Sequence, residues 1–245
     1  MPSVGYIVAL PDEARSLSRQ RAGFDEIVRL PDDHLLTISG TGPSHASQAA
    51  FRLVERGAAA LVSWGCAGAL APDLAPGELL IPERIFGADG TEHASDADWH
   101  RHILATLGLT LPVGSGALAE SREVVFEPVG KRALFDATGA LAVDMESAAV
   151  ARVAQAHRRP FLAVRAVADS AAMALPAAVR VALNPRGDVR LAKLLSYSLR
   201  HPVQFIELAR LGRAFGAAMA TLRRVHDIAG SDLRFPPPAS GTPSP

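Results

Sequence analysis

With 245 residues, 49% hydrophobic and 20% charged, the chain is long enough to bury a sizeable core, and roughly 70–75% of its unfolded surface is expected to be lost on folding. Lys plus Arg and Asp plus Glu both number 25, so no net field favours a nucleic acid or another polyanion. The single cysteine, Cys66, excludes an internal disulfide and a cysteine-rich zinc site.

No linker divides the sequence, so one domain is expected over 1–230. The amino terminus has no basic leader and turns acidic after a short apolar run, which points to a cytosolic chain. Val4 to Leu10 reads as a buried strand. Pro11, Asp12 and Glu13 then open a helix through Arg21, with proline and acids suited to a first turn. Glu13 thus falls just past a strand's carboxyl end, where the plain reading is a dipole-favoured surface acid. Phe24 to Leu30 and His34 to Ser39 are two further strands joined by a turn at Pro31, Asp32 and Asp33. The second strand runs into Gly40-Thr41-Gly42-Pro43-Ser44, ahead of a helix from His45 to Arg56. This turn lacks the Rossmann and P-loop spacings, so it reads first as a tight turn and second as backbone N–H groups brought near an anion or a ribose.

Ala58 to Trp64 is the next strand. It meets Gly65-Cys66-Ala67-Gly68-Ala69, a run of small residues that either packs closely or leaves room for a flat ligand against the backbone. Cys66 reads as an inert small hydrophobe. Gly77 to Ile81 and Arg84 to Phe86 are short apolar pieces. His93, His100 and His102 follow in a polar stretch and read as solvated surface, because no metal-binding spacing accompanies them. Val113 to Ala119 is a strand, after which Ser121-Arg122-Glu123 leads to Val124, Val125 and Phe126, apolar groups able to face a ligand. Glu127 to Thr138 is a helix.

From Ala140 to Ala171 the sequence reads as a strand, a helix and a second strand. The first strand ends in Asp144 and Glu146. The helix carries Met145, Ala148, Ala149, Val153 and Ala154 on one face and stops before Pro160. The second strand, Phe161 to Ala168, ends at Asp169. Such a crossover unit implies neighbouring parallel strands with both acidic clusters at their carboxyl ends, where open α/β sheets bind ligands. Beyond it come a turn at Asn184 to Asp188 and long helical patterns over Val189–Leu199 and Val203–Arg224, together a helical extension over 188–226. The last helix alternates Phe205, Ile206, Leu208, Leu211, Phe215 and Met219 with arginines. It reads first as a packing helix and second as a membrane-surface helix. Residues 231–245 are expected to be disordered.

Several of these stretches together resemble the nucleoside phosphorylase and nucleosidase superfamily, nearest in pattern to its methylthioadenosine/adenosylhomocysteine nucleosidase branch. They are ALPDEA at 9–14, GTGPSHA at 40–46, SWGCAGAL at 63–70, GELLIP at 77–82, VDMESAAVA at 143–151 and FLAVRAVAD at 161–169. The carboxy-terminal stretch LRHPVQFIELARLGRAFGAAMATLRR is similar to the hopanoid-associated members, a group associated with removing adenine from adenosylhopane, a lipid nucleoside. The resemblance implies an α/β/α three-layer sandwich with a mixed central sheet, a homo-oligomer, commonly a homodimer, and no metal or organic cofactor, with phosphate a co-substrate only if the enzyme is a phosphorylase.

Residue by residue, it implies that Asp169 is the acid at purine N7, and that Glu146 accepts the ribose hydroxyls while Met145 covers the sugar. Glu13 corresponds to the base for an attacking water, and Arg165 to an arginine beside that water that compensates the acids. Cys66, Ala67 and Gly68 match the small segment beside nucleophile and base, and Val125 and Phe126 the part that stacks on the purine. The sequence departs from the family pattern at Ala168, where serine is common, at Ser121-Arg122-Glu123, which replaces the usual purine segment, and at Cys66, where a hydroxyl is frequent. The expected activity is hydrolysis of an adenine nucleoside such as adenosylhopane, with peripheral membrane contact through the last helix in view. Phosphorolysis of the same nucleoside and non-catalytic binding of a nucleoside or lipid are the alternatives.

Overall fold

The computed structural model describes residues 2–182, 200–201 and 203–235. In chain order the elements are β1 (Val4–Val8), α1 (Pro11–Leu17), β2 (Ile27–Arg29), β3 (Leu35–Ile38), α2 (Pro43–Glu55), β4 (Ala60–Ala69), β5 (Leu79–Leu80), β6 (Arg84–Phe86), β7 (Glu92–Ala94), α3 (Ala97–Leu107), β8 (Val113–Gly114), β9 (Ala117–Glu120), α4 (Pro128–Thr138), β10 (Ala142–Asp144), α5 (Ser147–Ala156), β11 (Phe161–Asp169), α6 (Ala177–Ala182) and α7 (Val203–Ala229). The helix expected over Val189–Leu199 and the turn at Asn184 lie outside the described residues.

The expected α/β/α architecture with a mixed central sheet is what the chain adopts. One layer is α2 and α5, whose alanine-rich faces, Ala46, Ala49 and Ala50 on the one and Ala148, Ala151 and Ala154 on the other, share a core with Ile7, Leu61 and Ala163 of the strands. The opposite layer is α1, α3 and α7. Leu17, Trp99, Ile103, Met219, Leu222 and Val225 pack there on Tyr6, Val62 and Val164. Small side chains face the sheet from α2 and α5, and larger ones face it from α3 and α7.

Strand β4 is the branch point. Its first residues pair with β1 in parallel, Ala60 opposite Val4 and Ser63 opposite Ile7. Its last residues pair antiparallel with β10, Gly68 opposite Val143. Its other edge runs parallel to β11, from Leu61 opposite Phe161 onwards. Two sequence expectations are corrected here. The run Gly65 to Ala69 does not end the strand; it continues it, and its small residues permit the close approach of other groups. Strands β10 and β11 are not neighbours either, because β4 lies between them, pairing β10 antiparallel and β11 parallel. Both carboxyl ends nevertheless meet beside the same part of β4.

In β11 the register slips: Val167 is opposite Ala67 but Asp169 is opposite Gly68, so Ala168 is the extra residue. Such a bulge bends a strand and re-aims the side chain that follows.

Two further expectations change. His93 is not solvated; it is buried on β7, with its ring nitrogens 3.1 Å from Gln155 Oε1 and 3.2 Å from the Thr91 hydroxyl. The stretch expected to be disordered from Ser231 onwards begins with packed residues. Tyr6 Oη donates to the Ser231 carbonyl (2.7 Å), Trp99 Nε1 donates to the Leu233 carbonyl (2.8 Å), and the Phe235 ring lies edge-on to Trp99. Residues 236–245 lie outside the described residues. Helix α7 packs through Ala214, Ala218, Met219, Leu222 and Val225, as the packing reading expects, while Val203, Phe205 and Ile206 at its start are exposed. No helix among the described residues is long and apolar enough to cross a membrane.

Candidate active site

A cavity of about 230 Å³ opens where the ends of β4, β10 and β11 meet the start of α1. Glu13 lies in the first turn of α1, and its carboxylate folds back into the protein. Oε2 accepts from the N–H groups of Ala9 and Leu10 (2.9 Å each), and Oε1 accepts from the N–H of Cys66 (2.8 Å). The side chain that read as a surface acid is only 3% exposed. Burial raises its pKa, while the three N–H donors and the charge of Arg165 pull it back. Gly65 makes the arrangement possible: a Cβ there would lie 2.6 Å from Glu13 Cδ.

Glu146 follows β10 and precedes α5. Its Oε1 accepts from the N–H of Gly42 (2.8 Å), in the glycine turn ahead of α2. That donor therefore serves an internal carboxylate. Burial, and then the charge of Asp144, push the Glu146 carboxyl up to about 8, with Arg165 and the Gly42 N–H opposing. Asp169, turned by the bulge, faces the far side of the cavity. Gly68 leaves it space, since a Cβ there would come within 3.3 Å of both its oxygens. Burial raises the Asp169 pKa and Lys131 lowers it.

Of the residues singled out from the sequence, Glu13, Glu146 and Asp169 share this one cavity, together with Cys66, Ala67, Gly68, Val125 and Met145. Phe126 does not line it. Its ring lies under the Arg180 guanidinium, 4.4 Å away, and its carbonyl accepts from the Leu175 N–H. Arg165 sits beneath the cavity, beside a void of about 10 Å³ that Glu13, Ser63 and Glu146 also line. The Cys66 thiol is held protonated by burial and by Glu13 nearby, so it is no nucleophile.

Four polar residues were not singled out as site residues, although Asp144 read as one of an acidic pair at a strand end. Asp144 is the direct partner of Arg165, through Nε (2.8 Å) and Nη2 (2.6 Å), and it also accepts from the Ser147 N–H at the start of α5. Ser63 and Ser147 accept from Arg165 Nη2 at 2.6 and 3.0 Å. Lys131, in the first turn of α4, is paired with Asp169. The sequence did hold one sign of it, because Lys131 is one of only two lysines among 25 cationic residues.

Residues 4–194 match the model of the phosphorylase superfamily. The chain belongs to that superfamily. Among curated members, it is 25% identical over 202 residues to the 5′-methylthioadenosine/S-adenosylhomocysteine nucleosidase of Oceanobacillus iheyensis, covering 69% of this chain and 86% of the relative. It is also 25% identical over 191 residues to the enzyme of that name from Shewanella piezotolerans, covering 69% and 83%. Among solved structures, a single-substitution mutant of the Helicobacter pylori enzyme of that name, with 5′-methylthioadenosine in its active site, superposes with a TM-score of 0.67 at 17% identity, over 93% of this chain and 99% of that one. Futalosine hydrolase of Helicobacter pylori superposes with a TM-score of 0.67 at 16% identity, over 92% and 97%. At these identities the superpositions show a shared fold.

Proposed function

We propose that the chain is a hydrolytic purine nucleosidase that cleaves the N-glycosidic bond of a 5′-substituted adenine nucleoside. The observation that carries this reading is the meeting of Glu13, Glu146 and Asp169 round one cavity. Departure of a purine from a riboside leaves positive charge on the sugar and negative charge on the base. A site for it needs an acid at the base and anionic groups at the sugar. Asp169 gives a proton to N7 as the C1′–N9 bond breaks and its electron pair passes to the purine. Glu146 accepts hydrogen bonds from the ribose hydroxyls. Glu13 takes the proton of the water whose oxygen bonds to C1′. Acid and base each supply about 10²–10⁴-fold. The curated relatives are named nucleosidases for adenine nucleosides with a 5′ substituent, which agrees with this chemistry.

Hydrolysis is favoured over phosphorolysis by the charges at the sugar end. Arg165 is committed to Asp144, and the Gly42 N–H is committed to Glu146. A phosphate dianion entering there would meet carboxyl groups whose cationic partners are already engaged.

The proposal extends to a lipid 5′ substituent, with adenosylhopane the substrate and adenine and ribosylhopane the products. Support comes from the carboxy-terminal resemblance to hopanoid-associated members and from the exposed Val203, Phe205 and Ile206 of α7, with Val181 of α6 also exposed. A homodimer and transient membrane contact are part of the same reading, to be read out by sedimentation and by binding to vesicles.

Adenine release from adenosylhopane, 5′-methylthioadenosine and S-adenosylhomocysteine, each with and without phosphate, tests the reading. Release without phosphate, fastest from the lipid nucleoside, is expected. Strict dependence on phosphate would make the chain a phosphorylase, and equal rates for Asp169→Asn and the parent would remove the acid from the mechanism.

A further inference from the structure

The acid of the proposed reaction does not stand alone. Lys131 is 1% exposed, and its Nζ donates to Asp169 Oδ2, to the Ser170 carbonyl (2.8 Å) and to the Met173 carbonyl (2.9 Å). Three N–H bonds therefore meet three acceptors, and the ammonium is held in one place. The described residues give Asp169 Oδ1 no hydrogen bond, so one oxygen is anchored and the other is left for a ligand.

The position of Lys131 is costly for a purely structural residue. It lies in the first turn of α4, with its own N–H bonded to the Glu127 carbonyl, near the positive end of the helix dipole where a cation is disfavoured. A buried ion pair is also often no better for stability than apolar residues of similar volume. Both costs fall on a residue that lines the cavity.

We propose that Lys131 is a positioning residue for the reaction: it fixes Asp169 with Oδ1 toward the purine and stabilises the carboxylate that remains once the proton has passed to N7. The inference rests on the nucleosidase reading and assigns the acid's partner within it. In the step itself the Asp169 O–H bond breaks, an N7–H bond forms, the C1′–N9 electrons pass to the base, and the new carboxylate lies against an ammonium that keeps all its protons. Ala168, the residue before the acid, has no side-chain group to hold it, and Lys131 reaches it from α4.

The other groups round Asp169 do not alter this reading. The Cys66 thiol faces it from β4, and Glu13, Glu123, Asp144 and Glu146 share the cavity. Glu207 and Arg210 of α7 line a separate depression on the outer side of Ser170 and Met173. Lys131 is the cation in contact with the acid, and burial opposes it.

The test is the pH profile of adenine release by Lys131→Met and Lys131→Arg, with melting temperatures taken at each pH. Lys131→Met should lower kcat by up to about 100-fold with little change in KM. It should also move the alkaline limb of kcat upward by about one to three pH units, because an acid without its cation keeps its proton longer. Lys131→Arg should restore part of both. A fall in kcat that follows the melting temperature, with the alkaline limb unmoved, overturns the proposal. Should the parent release no adenine from any nucleoside tried, the nucleosidase reading fails separately. The Asp169 carboxyl is then titrated by carbon-13 NMR in parent and Lys131→Met, where an upward shift supports the pairing and an unchanged titration overturns it.

Discussion

Gly65 and Glu13 exclude each other's side chains: the carboxylate of Glu13 occupies the space that a Cβ on residue 65 would need, 2.6 Å from Glu13 Cδ. Replacing Gly65 by alanine must therefore push the carboxylate off the Cys66 N–H. Because the strand backbone is paired on the β11 edge, from Leu61 through Gly68, it has little freedom to yield. We expect Gly65→Ala to remain folded but to lose about 10²–10⁴ in kcat/KM, the contribution of a general base. Circular dichroism and adenine release on the same sample check this, and parental activity in the variant would place the base elsewhere.

Arg165 should prove structural as much as catalytic. Its guanidinium is the counter-charge of buried Asp144, and removal of one member of a buried pair costs about 3–5 kcal/mol because the other is left unpaired. Arg165→Met should destabilise by that order in urea unfolding, and adding Asp144→Asn should recover part of the loss. Additive losses in the double variant would contradict the pairing.

Glu120 gives a pH signature apart from catalysis. It is buried at the end of β9, accepts from the Ala149 N–H of α5, and is pushed up to about 7, chiefly by desolvation. Between the ordinary value of 4.5 and about 7 the folded chain holds this proton and the unfolded chain has released it, so stability falls as pH rises through that window and levels off above it. Glu120→Gln retains an acceptor for Ala149 and never carries the charge. It should match the parent below the window and exceed it above pH 7 by on the order of 1–3 kcal/mol. Melting curves at pH 4.5 and pH 8 measure the difference, and a gap independent of pH would exclude Glu120 as its source.

A chain ending at Gly230 should be less stable than the parent. It loses the buried Leu233 and leaves Trp99 Nε1 without its carbonyl. An unsatisfied buried donor costs about 1–3 kcal/mol, and the Leu233 side chain adds about 2 kcal/mol. An unchanged melting temperature would show that Ser231–Phe235 contribute nothing.

Two acids were legible from position, since Glu146 stands where a strand passes into a helix and Asp169 stops an apolar run, whereas Glu13 by itself read as a surface acid and only the family resemblance drew it to the site. The pairing of β10 and β11 was not legible, since hydrogen bonding between strands depends on β4, some seventy to a hundred residues earlier in the chain. The Gly65 to Ala69 run was misread as a break because glycine is a poor strand former; its reason for being small lies in Glu13 and Asp169, which come from elsewhere. Lys131, and the pairing of Asp144 with Arg165, were overlooked for a related reason. A single charged residue in a helix or at a strand end reads as solvated until its partner is known, and Asp169 and Arg165 are both distant in sequence.

One consequence of β4 concerns how such a site can change over time. The N–H that holds Glu13 belongs to Cys66, and the clearance for Asp169 belongs to Gly68. Both carboxylates are thus gauged from two rungs of a single ladder, and rebuilding that strand would disturb the two at once. Val124, Val125 and Leu175 line the same cavity from outside that strand and carry no part of the gauge.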